Sequence, residues 1–133
     1  MSTFRLFSVS LVASLAWATA HADTREVAQR HLDEYAPYLK APVDDFHFWS
    51  FDHWRPLGPT HVAVWVSINE AYMLTVEDGC PNLEWAGDIG VTSQAAHVVS
   101  KRFDYVTFDH QRCHITRIQP IDYARMKADG KAN

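Results

Sequence analysis

The sequence predicts a mainly β (α+β) fold: a small antiparallel sheet or barrel-like domain with an N-terminal helix and one disulfide. Three observations lead there. Apolar residues alternate with a period of two in "HVAVWVSI" and "AYMLTV", the repeat of strands in a packed sheet. Only the stretch from Asp23 to Lys40 spaces its apolar and aromatic residues as a helix does. The chain of 133 residues holds just two cysteines, Cys80 and Cys113, the simplest count for a single bridge.

The chain opens on "MSTFR", with one positive charge, followed by the apolar run "LFSVSLVASLAWA" and the small residues of "ATAHAD". A charged start, a short apolar core and an A-x-A pattern together make a secretory signal peptide. Residues 1–22 are therefore expected to be the leader, cut after Ala22 or alternatively after Ala20. A single exported domain, residues 23–133, would remain, periplasmic or secreted. The apolar run is too short to span a bilayer, and no other run approaches the roughly 18 residues a membrane helix needs. With no cysteine near the cut, no lipid anchor is expected there. Losing the leader removes Arg5 and no acid, which leaves 11 Lys and Arg against 16 Asp and Glu, a balance of −5 with neutral His. The remaining basic residues are dispersed and form no phosphate-tracking stripe, which argues against nucleic acid as a partner. A domain of this length should bury roughly two thirds of its unfolded surface.

The helix is expected at about residues 24–36, capped by Asp23 or Thr24, with Glu26 placed as a capping box requires. Val27, His31, Tyr35 and Tyr38 would form the stripe that packs on the sheet, and Pro37 should end the helix. A β-rich core follows over about residues 46–120. "FHFWSFDHW" reads as one aromatic-dense strand. Val62, Val64, Val66 and Ile68 alternate with Ala63, Trp65 and Ser67, and Asn69 with Glu70 can turn the chain into "AYMLTV". Residues 77–90 gather Gly, Pro, Asn and Asp into a loop with one possible helical turn, pinned by Cys80. "HVVSKRFDYVTF" and "CHITRI" read as two more strands joined at "DHQR". A polar tail from about Tyr123 can hold a short helix before it frays.

The export signal places both cysteines in an oxidising space, so Cys80 and Cys113 are expected to pair. Closing a loop of that length should stabilise by about 3.5–4 kcal/mol on chain-entropy grounds. A reactive thiol or a thiolate ligand is the alternative, though there is no C-x-x-C. Eight histidines are a high share, and a periplasmic metal-binding protein is the alternative function, with His110 and His114 as weak candidate ligands. On a strand those two share a face while Cys113 points away. His47 and His53, on one strand, would stand about 20 Å apart, too far for one ion. Catalysis is less expected still. Ser67, Ser93 and Ser100 lack a nucleophile elbow, the adjacent acids Asp44 with Asp45 and Glu77 with Asp78 would point apart on strands, and no phosphate loop or dinucleotide fingerprint is present. No cofactor is expected.

The runs "FDHWRPLG", "VWVSINEAYMLTV", "CPNLEWAGDIGVTS", "KRFDYVTF" and "CHITRIQPIDY" together resemble the secreted proteobacterial family of unknown function DUF6491, over about residues 46–123. The resemblance implies a small exported domain with two paired cysteines and carries no reaction or catalytic residue. A non-catalytic binding or cell-envelope accessory role is the expectation. Trp49, Trp54, Trp65 and Trp85 are the candidate ligand-contacting rings, and the partner would be a protein, peptide, glycan or small apolar ligand.

Overall fold

A computed structural model describes residues 16–132. Most of the expected leader, residues 1–15, lies outside them. Helix α1 spans Ala16–Tyr35. The alanine-rich stretch ahead of Asp23 favours helix, so the expected cap residues Asp23 and Thr24 are interior to α1 in the full chain. Pro37 ends it as expected, inside a 3-10 turn over Ala36–Tyr38, because proline has no N–H to continue the ladder. The expected stripe is buried only at its end. Tyr35 and Tyr38 are enclosed, but Val27 is 44% exposed, because the helix leaves the sheet and runs past the turn at Gly58. A Cβ built at Gly58 would lie 3.0 Å from that of Ala28, and Gly58 has φ +139, so two features favour glycine there.

Eight strands follow: β1 (Asp45–His47), β2 (His53–Pro56), β3 (His61–Trp65), β4 (Ala71–Val76), β5 (Gly90–Val91), β6 (Val98–Ser100), β7 (Tyr105–Phe108) and β8 (Gln111–Ile121), with helix α2 at Tyr123–Ala128. Six form one antiparallel sheet in the order β2-β3-β4-β8-β7-β5, while β1 and β6 pair separately. The large sheet curls into a half-barrel whose edges are β2 and β5.

The alternation read from β3 decides the core. Val62, Val64 and Val66 enter one apolar cluster with Leu74, Val76, Val106, Ile115 and Ile118. Ala63 and Trp65 enter a second with Ala71, Met73 and Ile121. Successive strand residues face opposite ways, so the sheet is buried on both sides. The first face is closed by Phe46 of β1, Val99 of β6 and Leu83 of the 77–90 loop. The second is closed by Tyr35, Tyr38, Tyr123 and Met126, from the helical segments.

Two expectations of the strand reading are corrected. "FHFWSFDHW" is two strands in two sheets, so His47 and His53 share no strand. The break lets Phe46, Phe48 and Phe51 all reach the first cluster, with the Phe48 and Phe51 rings stacked at 4.6 Å, whereas an unbroken strand would have sent Phe51 to the opposite face. "HVVSKRFDYVTF" is likewise divided into β6 and β7. The turn between them is organised by Asp104, 1% exposed, which accepts hydrogen bonds from Ser100 N at 2.8 Å, Gln94 N at 3.0 Å and Thr92 Oγ1 at 2.8 Å. The tail holds the expected short helix, α2, which is capped by Asp122, accepting from Arg125 N at 3.2 Å, and buries Tyr123 and Met126.

The remaining turns follow from local chemistry. Asp109 and His110, at φ +46 and +62, join β7 to β8 as a two-residue connection of the kind that fits strand twist. Between β3 and β4, Val66 N donates to Glu70 O at 3.0 Å, closing a loop one residue longer than Asn69 and Glu70 alone suggest, with Ile68 at its exposed tip. On β8 the pairing shifts, so that Thr75 and Val76 face Arg117 and Ile115. This bulge lets Ile115 and Ile118, three residues apart, enter the same cluster.

Candidate functional site

The two cysteines form the bridge, with the Cys80 and Cys113 Cα atoms 6.0 Å apart. It ties the 77–90 loop to β8 on the first face. Two residues beyond Cys80, Asn82 adopts φ +69 and starts the 3-10 turn Leu83–Trp85. Leu83 is driven into the first cluster, and the turn then sends Trp85 outward, 71% exposed. The loop has one buried anchor, one covalent anchor and one presented ring.

Trp85 borders a groove of about 330 Å³ between this loop, the β2–β3 turn and α1. Val27, Ala28, Pro56 and Pro59 give it an apolar lining, and His31 and Glu84 are its titratable neighbours. The Oε2 atom of Glu84 is buried without a hydrogen-bond partner. Glu84 as a whole is half-buried, whereas Asp104 is fully enclosed and has three donors.

A second cleft, of about 560 Å³, lies beside Trp49, with His47, Ser67, Glu70 and His97 on its walls. Trp49 is 85% exposed and its ring centroid lies 4.7 Å from that of His97, whose backbone is held at φ +60. Glu70 accepts a hydrogen bond from the Tyr72 hydroxyl. Burial, and next that hydrogen bond, raise the Tyr72 pKa well above the phenol range.

Of the four candidate tryptophans, then, Trp49 and Trp85 are exposed, at different clefts. Trp54 is half-buried against the first cluster. Trp65 is 1% exposed in the second, sandwiched by stacking with His53 at 4.2 Å and edge contact with Tyr123 at 5.5 Å, so it is core and not a ligand surface. The histidines do not converge. His110 sits exposed in its turn, while His114 lies on β8, with its ring 5.4 Å from Tyr105 and its Nε2 3.3 Å from the Arg102 carbonyl oxygen. Among the described residues, no group of three or more His, Cys, Asp or Glu is placed to hold a metal ion. His61 is pushed below the ordinary imidazole range by burial and then by nearby Arg117. No described helix is long and apolar enough to cross a membrane.

Glu84 is the residue that sequence reasoning passed over. In "NLEW" it reads as a loop acid, and the available signal was its place between an inward Leu and an outward Trp on a single turn. That spacing sets it sideways, toward whatever packs beside the loop.

Over residues 1–133 the chain matches the model of a family of unknown function, DUF6491. The chain belongs to that family, and the match extends the resemblance of residues 46–123 to α1 and the tail. No curated protein and no solved structure matches it.

Proposed function

From membership of a family whose description names no activity, we propose that the protein is an exported, non-catalytic binding module or cell-envelope accessory protein whose ligand occupies the groove beneath α1. The observation that carries this reading is the pairing of an outward Trp85 with an apolar groove of about 330 Å³. Pockets of a few hundred Å³ with apolar walls and few polar groups are the usual form of small-ligand sites. Export is supported by the leader-like amino terminus and by the use of both cysteines in one bridge. Cleavage after Ala22 would leave the groove's helical wall, which begins at Thr24, in the mature domain.

Two measurements test the reading. A thermal-shift screen of small molecules should yield stabilising compounds whose effect is lost in Trp85→Ala and kept in Trp49→Ala. Hits lost only with Trp49 would move the site to the other cleft. The intact mass of protein recovered from the periplasm should fit Asp23 to Asn133 and lack two hydrogens until reduced, and a full-length mass with free thiols would rule out export with cleavage.

A further inference from the structure

We propose that the cleft beside Trp49 binds a short neutral oligosaccharide of equatorially substituted pyranose rings, one sugar face laid on the indole and its hydroxyls held by Glu70 and the polar side chains around it. This is a second site, separate from the groove beneath α1 and independent of it. The indole is held in place from two sides. Phe48 and Phe51 pack inward on the first cluster, so a short segment with two buried anchors carries Trp49 outward into solvent. Across from it stands His97, its ring tilted 46° to the indole with centroids 4.7 Å apart. The His97 backbone lies at φ +60, a conformation that costs a residue other than glycine. Its turn is braced all the same: Phe48 N donates to His97 O at 2.9 Å, Val98 N to Ala95 O at 3.0 Å, and Ser93 Oγ to Val98 O at 2.7 Å. Residues held in such conformations gather at ligand clamps.

The polar wall is positioned as well. Glu70 accepts from the Tyr72 hydroxyl, and the Tyr72 ring is stacked on buried Phe46 with centroids 4.1 Å apart. The carboxylate is thus fixed through a phenol rooted in the core, and it keeps lone pairs for a further donor. The lining then selects the ligand. Trp49 offers a flat apolar face, Glu70 accepts, and Ser67, His47 and His97 can donate. A hydroxyl answers both needs. A pyranose with equatorial substituents carries a rim of hydroxyls around a face of axial C–H bonds, which matches a ring bordered by polar groups. A simple cation would answer Glu70 and leave the donors idle. A hydrocarbon would strip water from all four polar side chains without replacing it, which separates this cleft from the apolar groove. Its volume, about 560 Å³, falls within the range of small-molecule sites and admits more than one ring.

Titration calorimetry of the purified protein with cellotriose, with N,N′,N″-triacetylchitotriose and with sorbitol tests the proposal. Sorbitol carries the hydroxyls without the ring face. At least one trisaccharide should bind saturably and shield the exposed indole from acrylamide quenching, and sorbitol should do neither. Trp49→Ala should abolish that binding, Trp49→Phe should keep part of it, and Glu70→Gln should weaken it about tenfold, the worth of one hydrogen bond to a charged group. Because the Trp49 ring is exposed, Trp49→Ala should melt with the parent, which checks that lost binding is not lost fold. Phe103→Ala, which removes an exposed ring outside the cleft, should leave binding unchanged. No saturable binding of either trisaccharide in the millimolar range, or binding undiminished in Trp49→Ala, would overturn the proposal. Sorbitol bound as tightly as the trisaccharides would overturn the stacked ring. Trialanine bound in their place, and lost in Trp49→Ala, would overturn the saccharide in favour of a polypeptide.

Discussion

The two faces of the half-barrel are closed by different means. The first is covered by a second small sheet and by a loop bolted to β8 through Cys80 and Cys113, and its cluster is almost wholly aliphatic with a few phenyl rings. The second is covered by the ends of helical segments, and its cluster is dominated by rings with polar tips: Tyr35, Tyr38, Tyr123 and Trp65. Those tips reach outward where they can, as Tyr38 does by donating to Asp129 at 2.8 Å, although the Trp65 Nε1 is buried without a partner. The first face is fixed by covalent and aliphatic constraints. The second hands part of its cover to α1, which runs on past the turn at Gly58 and lines the groove. The wall that carries Trp85 is held by the bridge and by Leu83, whereas the helical wall leaves Val27 exposed.

If the second face depends on one large ring, Trp65→Ala should be the most damaging change. It removes the core's largest fully buried side chain and should cost about 3–5 kcal/mol, read as a shift of the urea midpoint at unchanged m-value. A cost under about 1 kcal/mol would mean the helices close that face without it. The first face should lose about 3.5–4 kcal/mol when its bridge is removed in the double Cys80→Ala, Cys113→Ala variant. The same variant should weaken any ligand of the groove, because Trp85 rides on the freed loop. Undiminished ligand binding there would separate the bridge from the site. Asp104→Ala strands the donors of Ser100, Gln94 and Thr92 and should cost about 2–3 kcal/mol. Hydrogen exchange should then quicken first around the β6–β7 turn, and uniform quickening would argue against a local role.

The smallest effect belongs to His61, which follows the second-face register of β3. Its folded pKa lies below the free imidazole value of 6.5, through burial and then Arg117. Below that value the unfolded chain takes up the proton more readily than the folded one, so stability is full above pH 6.5 and declines as pH falls through the folded pKa. His61→Gln should flatten the stability profile between about pH 7 and 5, and an unchanged slope would assign the acid sensitivity to other groups.

Much of this was legible in the residues because period and composition act locally. The alternation in "HVAVWVSI" mapped onto two real faces, and two cysteines in an expected oxidising space gave the bridge. Pro37 stopped α1 as its missing N–H dictates. The misread segments all needed a partner distant in sequence. Phe51 breaks from its strand because a cluster gathered from β3, β4 and β8 draws it in, and Ile115 shares a face with Ile118 only through a bulge set by β4 pairing. Trp65 looked like a binding ring as much as Trp85 did, since nothing in either neighbourhood reveals the helices that cover one of them. Glu84 went unread for the same reason: it shares the groove's lining with Thr24, Val27, Ala28 and His31 of α1, more than fifty positions earlier.

Hydrogen exchange with mass spectrometry, run on the oxidised protein, tests the contrast between the first face and the groove most directly. Amides of β4, β7 and β8 should open only with global unfolding. Amides of α1 near Val27 to His31 should exchange faster than those of the sheet. Equal protection of α1 and the sheet would contradict the contrast between the two faces.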